Sequence, residues 1–98
     1  MNTIKLNDLE LEVTSYSKLI SFNDNMMSSS ASCQVITTNN EAIIDLAKET
    51  ITSIQIKHND EVIYNSSDIN ARIANVNEYL NTARIDINIT LAFEDEEL

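Results

Sequence analysis

The side chains that could do chemistry in this sequence are a single histidine, a single cysteine and many carboxylates. His58 lies beside Asn59-Asp60 and could in principle serve as a general base or a metal ligand. The common zinc sites need several His or Cys ligands, and this chain has one of each. A nucleophilic pair of Cys33 and His58 would need a third group that orients the histidine, and the sequence shows no such motif. We therefore interpret His58 as an exposed residue next to a turn.

Two further patterns resemble binding motifs but lack essential parts. Asn23-Asp24-Asn25 is rich in oxygen ligands, yet it has neither the glycine turn nor the distal glutamate of a calcium loop. Phosphate-binding loops need glycine, and the chain contains none. We predict no catalytic residue, no metal site and no cofactor, and we expect that the protein is not an enzyme.

The charge of the chain narrows the class of partner. Its formal net charge is −10, with 16 acidic and 6 basic residues. Nucleic acids and anionic membranes are bound by concentrated Lys and Arg, and here the basic residues are scattered singly. We expect no direct nucleic-acid binding and no membrane binding, and a charged partner would be basic. The first residues also lack the features of a secretory signal.

Cys33 lies in a short alternating pattern with Ala31 and Val35, which predicts a strand with a small buried thiol. A single cysteine cannot form an internal disulfide, which fits a reducing compartment. Synthesis in the cytoplasm is the expected location.

Alternation of apolar and polar residues predicts strands through most of the chain. Around Asn7-Asp8, a two-residue turn would place Leu6 opposite Leu9 and Ile4 opposite Leu11. Asn and Asp tolerate the positive φ of such turns better than other non-glycine residues. The same turn chemistry recurs at Asn59-Asp60, where we predict that Ile56 lies opposite Ile63.

Residues 38–51 contain the clearest helix signal in the sequence. Thr38-Asn-Asn-Glu41 matches a capping box. The apolar residues that follow, Ile43, Ile44, Leu46, Ala47 and Ile51, have helical spacing, with Asp45 and Glu49 outside. We predict one amphipathic helix over about residues 39–51, packed on a sheet.

The predicted fold class is α+β and mainly antiparallel β. About six or seven strands would form a small sheet or barrel, covered by the single helix. Residues 1–98 form one domain, in which residues 23–30 are a mobile polar loop and residues 94–98 are an acidic tail.

Two of these segments are candidate protein-interaction sites. The methionines in the polar loop could fit irregular pockets on a neighbouring subunit, because their side chains are flexible and apolar. The acidic residues after Phe93 could contact a basic surface or discourage pairing between strand edges. The candidate residues are Met26, Met27, Glu94, Asp95, Glu96 and Glu97.

The order of these segments resembles a known class of proteins over most of the chain. The segments are TIKLND, LELEVTSYSKLISF, a polar loop, EAIIDLAKETITSIQI, EVIYNSSDINARIANVNEYL and IDINITLAF. Their layout and composition are similar to those of small structural proteins encoded among the virion genes of tailed phages and prophages of Gram-positive bacteria. The resemblance implies a non-enzymatic subunit of a head, connector, tail or baseplate. It would be made in the host bacterial cytoplasm, and its partners would be copies of itself or neighbouring virion proteins.

An alternative function follows from the acidic charge. A small phage-encoded inhibitor of the anti-CRISPR or DNA-mimic type would present carboxylates to a basic groove on a host defence protein. Glu10 and Glu12 would lie on the outer face of the first hairpin, and Asp45 and Glu49 one helical turn apart. These two pairs would supply a modest acidic surface.

Overall fold

The first hairpin forms as the sequence predicts. The computed structural model describes residues 1–37, 40–81 and 83–97. In it, Leu6 pairs with Leu9 and Ile4 with Leu11. Asn7 has a φ of 55°, so an asparagine supplies the left-handed conformation that glycine usually provides. Ile4, Leu6 and Leu11 point into the core, so the apolar face of the hairpin is buried.

Seven strands and one helix make up the described part of the chain. They are β1 (Asn2–Leu6), β2 (Leu9–Asn23), β3 (Met26–Ile36), α1 (Asn40–Leu46), β4 (Ile51–His58), β5 (Glu61–Asn81), β6 (Arg84–Phe93) and β7 (Glu96–Glu97). All the strand pairings are antiparallel. This confirms the predicted α+β, mainly antiparallel class.

Six of the strands close into a barrel. Around the ring the order is β1, β2, β3, β6, β5 and β4, and β4 pairs again with β1. Closure removes most of the open strand edges that an isolated sheet would leave. The interior is filled by the inward side chains of every strand in the ring, and Ile54, Ile89 and Leu91 are fully buried among them.

The barrel consists of two similar halves. β1–β2–β3 and β4–β5–β6 are each three-stranded meanders, and their outer strands pair across, β1 with β4 and β3 with β6. Each long middle strand carries an irregularity at an equivalent place, between Val13 and Ser15 in β2 and between Ile73 and Asn75 in β5. The fold therefore has an internal two-fold arrangement that no repeat in the sequence reveals.

The helix is shorter than predicted. α1 ends at Leu46, and Ile51 is the first, fully buried residue of β4. The side chain of Asn7 holds the connection extended, because its amide donates to the Thr50 carbonyl at 2.9 Å and its oxygen accepts from the Thr52 amide at 2.8 Å. Ile44, predicted to face inward, is exposed. Thr38 of the predicted capping box and residue 39 lie outside the described residues.

Ile43 and Leu46 are the buried side chains of α1. They join the core at the end of the barrel where β3 ends and β4 begins. Asn40 Nδ2 donates a hydrogen bond to the carboxylate of Glu78 on β5. The helix therefore covers one end of the barrel. Its seven residues are too few to cross a membrane, and the described part of the chain contains no other helix long and apolar enough to do so.

Two other predicted details differ. Ile56 pairs with Tyr64 rather than Ile63, because β4 and β5 shift register between Ile56 and Lys57, and Ile63 is exposed. Residues 26–30, predicted within the polar loop, form the first part of β3, and the turn itself is only Asp24-Asn25. The serines there show no apolar alternation, since this part of the hairpin contributes little to the core.

Candidate functional site

The β2–β3 hairpin extends past its neighbour on the barrel. β3 and β6 are paired from Ile36 to Ser30, whose partner is Ala92. Beyond that pair, residues 19–29 of the two strands continue together to the turn, and we call this segment the hairpin tip. The molecule is accordingly elongated, with extents of 45 × 28 × 23 Å.

The hairpin tip exposes large apolar side chains. Leu19 is 66% exposed, Phe22 is 68% exposed and Met26 is 41% exposed. Ile20 lies on the same face as half-buried Tyr16, yet it is 44% exposed because it lies past the last inward residues of the barrel. Leu19 and Met26 lie on one face of the hairpin and Ile20 and Phe22 on the other, and exposed apolar surface of this kind often marks a contact site. The alternation in β2 indicates that Tyr16, Ile20 and Phe22 share a face, but it does not show where the barrel ends.

The two predicted interaction segments meet at this tip. β7 pairs antiparallel with the start of β3, so that Met26 lies opposite Glu97 and Met27 opposite Glu96. Residues predicted as a loop and as a tail are therefore adjacent strands. Glu94 and Asp95 form the short connection between β6 and β7. Leu98, the last residue of the predicted acidic tail, lies outside the described residues.

A groove with a cavity volume of about 280 Å³ opens between the hairpin tip, residues 68–70 of β5 and the chain that follows the end of β6. Its apolar side chains are Ile20, Met27, Ile69 and Phe93, and its carboxylates are Asp68, Glu94, Asp95 and Glu96. We call it the acidic groove. Lys18 is the basic residue that lines it, and its Nζ lies 4.5 Å from the centre of the Phe93 ring.

Hydrogen bonds and backbone geometry fix two of these carboxylates. The Asn70 side-chain amide donates to Glu94 Oε2 at 2.6 Å, and the Glu94 amide donates to the Asn70 carbonyl at 2.9 Å. Asp68 has a φ of 58° and lies where β5 holds extra residues relative to β4, between the partners Ser67 and Ala71. The irregularity in β5 therefore positions Asp68 at the acidic groove.

Cys33 and His58, the two residues considered for catalysis, do not line the acidic groove. Cys33 is fully buried in β3, and burial raises the pKa of its thiol to about 12, which is opposite to the lowered pKa of a reactive thiolate. His58 is exposed at the end of β4, and its Nδ1 lies 2.5 Å from Asn2 Oδ1. Within the described residues, no group of three or more His, Cys, Asp or Glu side chains could hold a metal ion.

A polar cluster on the other long hairpin has a structural role. Asp86 is 1% exposed, and Arg84 Nε lies 2.9 Å from its Oδ1. Gln34 Nε2, on the neighbouring strand β3, donates to Tyr79 Oη and lies 3.5 Å from Asp86 Oδ2. A charged group this deeply buried needs such partners. The cluster ties β3, β5 and β6 together, and no pattern in the sequence indicates it.

Apart from the buried Asp86, the described acidic residues outside the groove are spread over the surface. Glu10 and Glu12 are exposed on β2 as predicted, where they pair with Lys5 and Thr3 of β1. Asp45 is in α1, but Glu49 lies beyond the end of the helix, so the two are not a helical-turn pair. No protein-family model matches the sequence, and no curated protein shows a significant match to it.

Proposed function

We propose that this protein is a non-enzymatic subunit of a phage or prophage virion that acts through protein–protein assembly. The observation that carries the proposal is the exposure of Leu19, Ile20, Phe22 and Met26 on the hairpin tip. Burying such side chains against another subunit removes apolar surface from water, at about 25 cal/mol per Å². The layout resemblance to virion proteins adds the biological setting of a head, connector, tail or baseplate.

The hairpin tip suits contact between copies of the chain. Its two strands pair with each other through uncharged residues, among them Leu19 with Ser30 and Phe22 with Met27. The carboxylates at the tip are Asp24 in the turn and Glu96 and Glu97 on β7, so the contact would be formed through the apolar side chains of β2 and β3 rather than through charges. Repetition of one such contact between identical subunits, if it is head-to-tail, produces a closed ring when the rotation closes.

The test is the mass of the protein in solution across a concentration series, by size-exclusion chromatography with light scattering. We expect a defined oligomer or concentration-driven multimers for the wild type, and a monomer for the double variant Leu19→Thr/Phe22→Thr. Threonine keeps the strand preference while removing the apolar surface. Substitution is preferable to deletion of residues 23–30, because that segment includes the start of β3.

The matched control is Val62→Thr/Ile63→Thr, which removes two exposed apolar side chains from β5. It should assemble like the wild type. Normal assembly of the hairpin-tip variant, or a wild type that stays monomeric at every concentration, would contradict self-assembly through the tip. The virion setting is tested separately, by mass spectrometry of particles purified after prophage induction of the strain that encodes the chain.

The acidic-inhibitor function remains a second candidate because of the carboxylates at the groove. An inhibitor that imitates nucleic acid would bind a basic surface with strong salt dependence. A steep loss of affinity for a basic host protein between 50 and 200 mM salt (about tenfold or more), together with a monomeric wild type, would favour it over the assembly subunit.

A further inference from the structure

We propose that the acidic groove binds an extended segment of a partner protein in which Lys or Arg alternates with large apolar residues. The inference rests on the proposed function, since it specifies one partner of the assembly subunit. Side chains of an extended segment point alternately to opposite sides. Apolar side chains would then enter the groove while the basic ones reach the carboxylates around it.

The apolar side chains of the groove can accept such a partner. Ile20 keeps almost half of its surface exposed, and Met27 and Phe93 are only partly buried. Methionine adapts its shape to irregular partners, because its side chain is unbranched and flexible. A partner's apolar residues would complete the burial of these three side chains.

The charge of the groove selects a basic partner. Four carboxylates line it, against the single ammonium group of Lys18, which already lies over the Phe93 ring. The Asn70 side chain already holds Glu94 in the free protein, so Glu94 loses less conformational freedom when a partner binds. A partner with Lys or Arg would therefore meet at least one carboxylate, that of Glu94, already held in place.

A second copy of this chain does not fit the groove. Two copies with a charge of −10 each repel one another at an acidic surface. Arg84 lies beside exposed Ile85 and would be the natural basic and apolar pair to offer, but its guanidinium is committed to Asp86 at 2.9 Å. The groove partner is therefore a different protein, whereas Leu19, Phe22 and Met26 of the hairpin tip, which do not line the groove, can contact copies of the chain.

The experiment uses the full chain and a fluorescein-labelled nine-residue peptide of alternating Lys and Val, followed by fluorescence anisotropy at 150 mM salt. A peptide of alternating Lys and Ser carries the same charge without apolar side chains. We expect the Lys-Val peptide to bind at least about fivefold more tightly, the factor that about 1 kcal/mol of apolar burial corresponds to.

Two variant pairs with the same change in charge separate the groove from the rest of the surface. Glu94→Gln/Asp95→Asn should weaken binding of the Lys-Val peptide by about fivefold or more, the range expected for loss of two ion pairs. Glu10→Gln/Glu12→Gln, on β2 away from the groove, should change it by less than about twofold because screening limits distant charges. Ile20→Thr should weaken it without any change in charge.

Equal effects of the two variant pairs would overturn the inference, as would equal binding of the two peptides or no binding at all. Asp68→Asn is a second groove variant in case the loss of the Asn70–Glu94 hydrogen bond disturbs the fold, and asparagine tolerates its positive φ. If the peptide fails while the hairpin-tip variant still abolishes oligomers, only the groove inference falls. If the peptide binds as expected while the wild type is monomeric, only self-assembly falls.

Discussion

Cys33 lies at the centre of the pairing between β3 and β6, opposite Ile89, and both side chains are fully buried. Burial raises the pKa of the Cys33 thiol from 9.0 to about 12, because the thiolate would lose its hydration. The pKa of the Tyr16 hydroxyl is raised in the same direction, chiefly by burial and also by the nearby Tyr64. Both groups are therefore held in their neutral forms inside the barrel.

The raised pKa of Cys33 predicts a loss of stability in alkali. The folded state retains a proton that the unfolded chain releases above pH 9, so this contribution is complete below pH 9 and falls as the pH rises toward 12. At pH 10.5 the loss is about 2 kcal/mol of unfolding free energy relative to pH 8. Urea unfolding with a reducing agent, at several pH values, measures it.

Cys33→Ala is the control, since it removes the thiol but leaves the lysines and tyrosines that titrate in the same range. Its unfolding free energy should be lower at pH 8 because of the smaller side chain, yet it should fall less steeply with pH. Parallel curves for the two proteins would mean that the thiol is not protected by burial.

At the scale of elements, Asn7 connects the first turn to the segment between α1 and β4. Replacing it with alanine removes the bonds to Thr50 and Thr52 and forces alanine to adopt a φ of 55°. We expect Asn7→Ala to lower the unfolding free energy by about 2–4 kcal/mol, from lost hydrogen bonds and backbone strain together. Urea unfolding at neutral pH measures the change.

Asn7→Gly separates the two causes, because glycine loses the same hydrogen bonds but adopts the positive φ freely. Its loss should be smaller than that of Asn7→Ala by about 1 kcal/mol. Equal losses for alanine and glycine would show that the left-handed conformation contributes nothing to the effect.

The elements that sequence predicts well are those set by local patterns. The β1–β2 register follows from the Asn7-Asp8 turn and two apolar pairs, and positive φ values occur at Asn7 and Asn59 as expected. The extended segment at the start of β4 could not be predicted, because it is held by Asn7, more than forty positions from its partners Thr50 and Thr52. The Ile56–Tyr64 pairing was missed because a register shift leaves no sign in an alternating pattern.

At the candidate site, too, local patterns predict some features, whereas others depend on contacts that are distant in sequence. Their composition and their position in the chain identify Met26, Met27 and the acidic residues after Phe93 as candidate interaction residues. Their pairing across β3 and β7 depends on contacts that are distant in sequence, so it could not be inferred. Neither could the exposure of Ile20 and Phe22, because residues of one face are buried only as far as the barrel extends.

At the scale of the whole molecule, repulsion among the acidic residues lowers stability. Sixteen acidic residues against six basic ones give the charge of −10. Screening shortens the range of their repulsion from about 30 Å at 0.01 M salt to about 10 Å at 0.1 M. We expect sodium chloride added over this range to raise the unfolding free energy by about 1 kcal/mol, measured by urea unfolding.

Glu10→Gln/Glu12→Gln is the matched control, since it changes the charge from −10 to −8 at exposed positions. Its stability should rise less with salt than that of the wild type. A wild type that becomes less stable with added salt would indicate that favourable ion pairs outweigh the repulsion.

The two-fold arrangement of the barrel has a consequence for how two chains can combine. Each three-stranded half leaves its outer strands to pair with the other half, and the connection between Ile36 and Ile51 alone joins them in the chain. If that connection opened, the β4–β6 half of one molecule could pair with the β1–β3 half of another. The resulting domain-swapped dimer would keep every pairing between the halves, so the barrel can exchange parts without any new interface.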